Sequence, residues 1–357
     1  MRTNKSICDR GDAAMRLAPT GFRSAVVATA IAVLSFIPGA NAQSPEEFYR
    51  GKNVNLVIGY TVGGGYDIYA RLLARHMGKY IPGRPNIIPQ NMPGAGSLKS
   101  LEYLLAIAPK DGLVFGTFGR SLPLSPILEG AKYDATKLEW LGSITADTSA
   151  CVAWASTGFK SFSDFKTRQF TGGGLAKGSD PDIFTSVLKN ALGLNVKLVT
   201  GYPGTKDLVI ALERGEVDGV CGYTWSTIKS SHSRWLEEKK LVFLAQMALK
   251  RDKQLPDVPL LSEFATNDTM REALMLLMLS QSIARPFAMP PGTQKDRADA
   301  MRQAFMATMK DKDFLAEAKS ARLEVDPYSG EQVTELLRKA YASPKDVVAE
   351  ARRAIGE

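Results

Sequence analysis

Histidine is nearly absent. His76 and His232 are the only two in 357 residues. Neither stands in a His-Glu-x-x-His pair or beside a Gly-x-Ser-x-Gly elbow, so the sequence offers no zinc-hydrolase or serine-hydrolase machinery. Cysteine is scarce as well, at three residues with no Cys-x-x-Cys spacing, and no metal site is expected. No Lys/Arg run marks a nucleic-acid surface. No Gly-Lys-Ser/Thr follows the glycine-rich turns, which excludes a nucleotide phosphate loop. No paired-carboxylate motif stands out either, and no cofactor is implied.

Long apolar runs are missing too, apart from one near the N-terminus. Arg10, Arg16 and Arg23 precede the stretch from Ala25 to Ile37, which is too short at thirteen residues for a membrane span. Ala40-Asn41-Ala42 follows, small residues at the positions a signal peptidase reads. Residues 1–42 therefore read as a cleaved export signal, ending before Gln43 and placing the protein in the periplasm. The 42 residues take five basic and two acidic side chains with them, so the net charge falls from +8 to +5. The remaining excess weakly favours anionic partners. Hydrophobic residues make up 45% and charged residues 23%, the balance of a globular chain long enough for two cores.

The most informative stretch present is Val54 to Arg75. Val54, Leu56, Val57 and Ile58 have the length and character of a strand, Gly63-Gly64-Gly65 make a turn, and Ile68, Leu72 and Leu73 share a helical face. Glycines without a Cβ let backbone N–H groups approach a ligand, and the helix start adds partial positive charge. This turn is read as half of a small-anion cradle. Asp67 is expected to cap the helix and stiffen the loop, since its carboxylate would repel an anion. A further strand, Leu113 to Phe118, ends at Arg120, which is either a carboxylate fork or a solvated surface group.

A second set begins near Phe170, where Gly172-Gly173-Gly174 and Gly178-Ser179 lead through Asp180-Pro181 into another helix. The strand at Val196 meets Tyr202-Pro203-Gly204, and Gly219 to Tyr223 ends at Thr224-Trp225. Tyr60, Tyr202 and Trp225 either line a cleft or fill core. Strands alternating with helices predict α/β lobes with mainly parallel sheets and flanking helices. The expected organisation is a first lobe over 43–148, a second over 149–252, and a return to the first lobe over 253–357. Cys151 and Cys221, both in strand-like runs, either pair or pack as buried thiols. The methionine-rich helix near Met270–Met278 is read as core.

At Gly64-Gly65-Tyr66-Asp67, Ala70-Arg71, Asn91 to Gly96, Pro109 to Gly112, Tyr202 to Gly204, Gly215 to Asp218 and Leu255 to Pro259, the chain resembles the solute receptors of tripartite tricarboxylate transporters, the TctC/Bug family. The resemblance covers nearly the whole chain after the leader. It implies a two-lobed type II periplasmic-binding (Venus flytrap) fold, acting as a monomer, that carries a small organic carboxylate to transporter membrane subunits and performs no catalysis. It also implies that backbone donors of the two glycine loops hold the carboxylate. The candidate ligand residues are thus Tyr60, Gly63, Gly64, Gly65, Asp67, Arg120, Gly174, Gly178, Ser179, Tyr202, Gly204, Thr224 and Trp225. Departures stand at Gly59, where the family has proline, at Asp182, where it has histidine, and at Gly222 to Trp225. A ligand-dependent sensor for a membrane kinase and an exported hydrolase or isomerase are the competing readings.

Overall fold

Two sheets carry the chain, in a computed structural model that describes residues 43–357. The expected leader, residues 1–42, lies outside the described residues. The strands are β1 Asn53–Ile58, β2 Asn86–Asn91, β3 Val114–Thr117, β4 Glu139–Ser143, β5 Ser149–Trp154, β6 Phe170–Gly173, β7 Val196–Val199, β8 Gly219–Thr224, β9 Leu241–Met247, β10 Pro286–Met289 and β11 Tyr328–Ser329. The first sheet runs β11-β4-β10-β3-β1-β2 and the second β7-β6-β8-β5-β9. Val54, Leu56, Val57 and Ile58 of β1 are all buried, because helices cover both faces of an inner parallel strand.

The sheets are mixed, not mainly parallel. β1 pairs parallel with β2 and β3, and β6 with β7 and β8. β10, β11, β5 and β9 join antiparallel. The reason is topological. β5 and β10 each begin just after the chain has crossed between sheets, so no βαβ crossover dictates their direction. The two crossing segments run side by side: Ile144 N–H donates to Arg285 O at 3.1 Å, Ala284 N–H to Thr145 O at 3.0 Å, and Asp147 N–H to Gln281 O at 3.0 Å.

The segment after residue 252, expected wholly in the first lobe, divides between the sheets. Helices Lys295–Thr308 and Gly330–Tyr341 lie on β4, and Lys312–Ser320 packs on helix Gly65–Met77. Lys345–Ile355 instead packs against Asp268–Met278 and against Asp180–Asn190 of the second sheet. Its stripe Val347, Ala351 and Ala354 is buried at helical spacing, which gives it a single apolar face to place there. Met270 and Met278 are core, while Met275 is exposed. Cys151 and Cys221 are register partners on neighbouring strands β5 and β8 and form a disulfide. Among the described residues no helix is long and apolar enough to cross a membrane.

Candidate functional site: a cavity between the two sheets

The glycine turn after β1 is locked from below by a carboxylate. Asp67 is the third residue of helix Gly65–Met77, so it does not occupy the N-cap position; Gly64 does. From there its Oδ2 accepts the Gly63 N–H at 2.9 Å, and its Oδ1 accepts Arg71 Nε at 2.9 Å and Asn91 Nδ2 at 2.8 Å. Arg71 Nη2 also donates to Asn91 Oδ1, and Asn91 Nδ2 to the Tyr60 carbonyl. The three residues thus pin turn, helix and β2 together. Only Gly63 needs its lack of a side chain for conformation, at φ +86°. Gly65 needs it for space: an added Cβ would lie 2.5 Å from Thr227 Oγ1 and 3.2 Å from Arg285 Nη2. Gly59 replaces the family's proline beside Ser97 and Ser100, whose side chains would sit 2.5 and 2.3 Å from any Cβ there.

Gly65 opens onto an enclosed cavity of about 50 Å³ between the sheets. From the first sheet's side come Tyr60, Tyr66, Arg120 and Arg285; Tyr60 and Tyr66 stack with ring centroids 4.4 Å apart. From the second come Leu175, Asp180, Leu208, Val209, Val220 and Tyr223, with Thr224 and Thr227 at the helix start after β8. Arg120 sits just past β3 and is 2% exposed. Its Nε donates to Asp180 Oδ2 at 2.6 Å and its Nη2 to Ser149 Oγ at 2.5 Å, while Nη1 is buried without a partner. Burial works against this charge, but Asp180, Tyr66 and Asp147 together outweigh it and hold the guanidinium above its ordinary range.

Arg285, 1% exposed, lies between the faces of Tyr66 and Tyr69, each ring centroid 4.9 Å away. Its Nη1 donates to Ala284 O at 2.8 Å and its Nη2 to Thr227 Oγ1 at 3.2 Å, with Asp147 Oδ2 at 3.6 Å; Nε is buried without a partner. Burial raises the Asp147 carboxyl above the usual range, against the pull of Arg285 and Arg120. Tyr223 Oη is a third buried polar atom without a partner, and burial holds this phenol well above its ordinary value, hence neutral. Three residues of the cavity wall thus each carry a buried donor without a partner.

Of the candidate residues, Tyr60, Gly65, Arg120 and Thr224 come together at the cavity. Gly63 is exposed, while Gly64 is buried but leaves room for a Cβ, which would meet Thr61 O at an ordinary 3.8 Å. Gly174 and Ser179 belong to a second lock built on Asp182, whose Oδ2 accepts Leu175 N–H at 2.7 Å and Ser179 Oγ at 2.6 Å, and whose Oδ1 accepts Thr200 Oγ1. The carboxylate at the family's histidine position is thus engaged within its own lobe. Gly178 takes Ser121 Oγ on its carbonyl at 2.5 Å, and Gly204 abuts Thr61, so both stand where the lobes touch. Tyr202 reaches Glu216 near the surface, and Trp225 packs edge-on against Phe243 with its Nε1 on Gln254. Asp180, Tyr223 and Arg285 were not singled out from sequence. Arg285 left one signal: a lone charge inside the apolar run Ile283 to Ala288.

No protein-family model matches the chain. It is 24% identical over 309 residues to a Cupriavidus necator protein described as "UPF0065 protein in gbd 5'region", covering 84% of this chain and 86% of that one. In structure it matches periplasmic solute-binding proteins of the TctC/Bug type. With BugD the TM-score is 0.64 at 21% identity, over 82% of this chain and 95% of that one. With MatC of Rhodopseudomonas palustris, solved with bound malate, it is 0.65 at 19% identity, over 84% and 99%. An R. palustris protein solved with adipate gives 0.65 at 19%, over 84% and 97%. The fold is therefore the two-lobed type II periplasmic-binding fold.

Proposed function

We propose that the protein is an extracytoplasmic solute-binding protein that captures a small organic carboxylate between its lobes and delivers it to a tripartite tricarboxylate-type membrane transporter. The observation that carries this reading is the pair of buried guanidinium groups at the cavity, Arg120 and Arg285, each with one nitrogen left unpartnered. Buried donors of this kind are costly unless something accepts from them, and a carboxylate is the acceptor that suits a guanidinium. That relatives of the same fold hold malate and adipate supports the ligand class.

Titration calorimetry and thermal melts against mono-, di- and tricarboxylic acids test it. One acid should bind saturably, about one per chain, and be recovered unchanged. At a hundredfold excess over Kd it should add about 2.7 kcal/mol of stability, raising Tm by several degrees. A sugar or amine that shifts the melt while no acid does would overturn the reading. Export belongs to the same proposal. The mature periplasmic protein should begin at Gln43 on N-terminal sequencing; retention in the cytoplasm, or a start well inside the fold, contradicts it.

A further inference from the structure

Each guanidinium at the cavity already faces one carboxylate before any ligand arrives. Arg120 faces Asp180, with Nη2 and Oδ2 2.5 Å apart, and Arg285 faces Asp147 at 3.6 Å. Arg120, Asp180 and Arg285 are the only charged residues in the lining. A first carboxylate can use the donors these pairs leave over, Arg120 Nη1 and Arg285 Nε, with Tyr223 Oη as a neutral third. A second carboxylate would find no further cation, and an unpaired buried carboxylate is strongly penalised.

Apart from the hydroxyls of Tyr66, Thr205, Thr224 and Thr227, the rest of the wall is largely apolar. Leu175, Leu208, Val209 and Val220 reach it from the second lobe and form one packed cluster with Tyr60 and Tyr223. Such a surface gains from apolar contact and offers no further cation to an ionised tail. The enclosed space, about 50 Å³, suits a tail of few carbons.

We infer that the ligand is a monocarboxylate with a short, branched aliphatic tail, and that di- and tricarboxylates are disfavoured. This rests on the carboxylate reading above and narrows it.

The test is calorimetric titration of the mature protein with isobutyrate, isovalerate and 2-methylbutyrate, set against acetate, succinate, glutarate, adipate and citrate. The apolar-tailed monocarboxylates should bind at least tenfold tighter than acetate and than the dicarboxylate of matching length. A dicarboxylate or citrate that binds as tightly or more tightly overturns the inference while leaving the carboxylate reading intact. Absence of binding by every acid overturns both, and so the two failures are distinguishable. Leu208→Lys supplies the missing cation and should move the preference toward dicarboxylates by tenfold or more. If that variant does not fold, Val220→Thr keeps the shape and adds a hydroxyl; it should weaken isovalerate several-fold relative to acetate. A folded variant whose preference among the acids is unchanged counts against the apolar wall as the ligand's seat.

Discussion

Gly63, with φ at +86°, and Gly64, with φ at −82° and ψ at 168°, stand side by side yet answer to different physics. The first is left-handed, where a Cβ meets the following carbonyl; the second is ordinary extended backbone. Gly63→Ala should therefore lower stability by about 1–2 kcal/mol, while Gly64→Ala should stay within about 0.5 kcal/mol. Urea-unfolding midpoints of the two variants check this, and equal midpoints would remove the distinction. In sequence the three glycines look interchangeable. A Gly-Gly-Gly run announces a turn, but φ and the approach of Thr227 to Gly65 depend on elements more than a hundred residues away. Arg120 shows the same limit. Its place after a strand was legible, and the choice between ligand fork and solvated surface was posed; burial against Asp180 removes the solvated alternative, and that partner was not legible. That pairing needs both lobes in place.

At the scale of elements, β5 and β8 form the middle of the second sheet, and Cys151 and Cys221 tie them where they are already in register. The bridge closes a loop of 70 residues that includes β6, β7 and the helices between them. Restricting so long a loop in the unfolded chain stabilises the fold by about 2–4 kcal/mol. The Cys151→Ala/Cys221→Ala double variant should lose that amount, seen as a fall in Tm under non-reducing conditions. Reductant should lower the wild-type Tm and leave the double variant unmoved; a wild-type melt insensitive to full reduction contradicts the prediction. The strand character of both cysteines could be read from their apolar neighbours. Their pairing could not, because antiparallel register between strands 70 residues apart is fixed by the crossing from β4 to β5 and not by local pattern. The mixed sheets escaped for the same reason. Strand–helix alternation marks parallel units such as β1–β3, yet carries no information on the direction of a strand that enters from the other lobe.

The described residues form two lobes held face to face, and glycines at the seam set how near they come. An added Cβ at Gly204, at the tip of the second lobe, would lie 2.2 Å from Thr61 Oγ1 and 3.3 Å from its Cβ; at Gly96 it would meet Ala176 and Ser179 at 3.4 and 3.6 Å. The Arg120–Asp180 pair and the Lys229–Glu324 pair span the same seam. Gly204 has extended backbone, φ −165°, so any residue fits it in an open molecule and only the closed one excludes a side chain. Gly204→Ala should accordingly fold with near wild-type stability while disfavouring the closed arrangement. If closure becomes tenfold less populated, apparent affinity for the ligand falls about tenfold, since only the competent fraction binds. The radius of gyration in solution should rise as the lobes part about the paired crossing segments near residues 144–148 and 280–285. Thr61→Ala in the same chain removes the opposing hydroxyl and methyl and should restore most of the loss. Gly204→Ala with wild-type affinity and wild-type scattering would mean that binding does not bring residue 204 onto residue 61, and the seam would then have to close elsewhere.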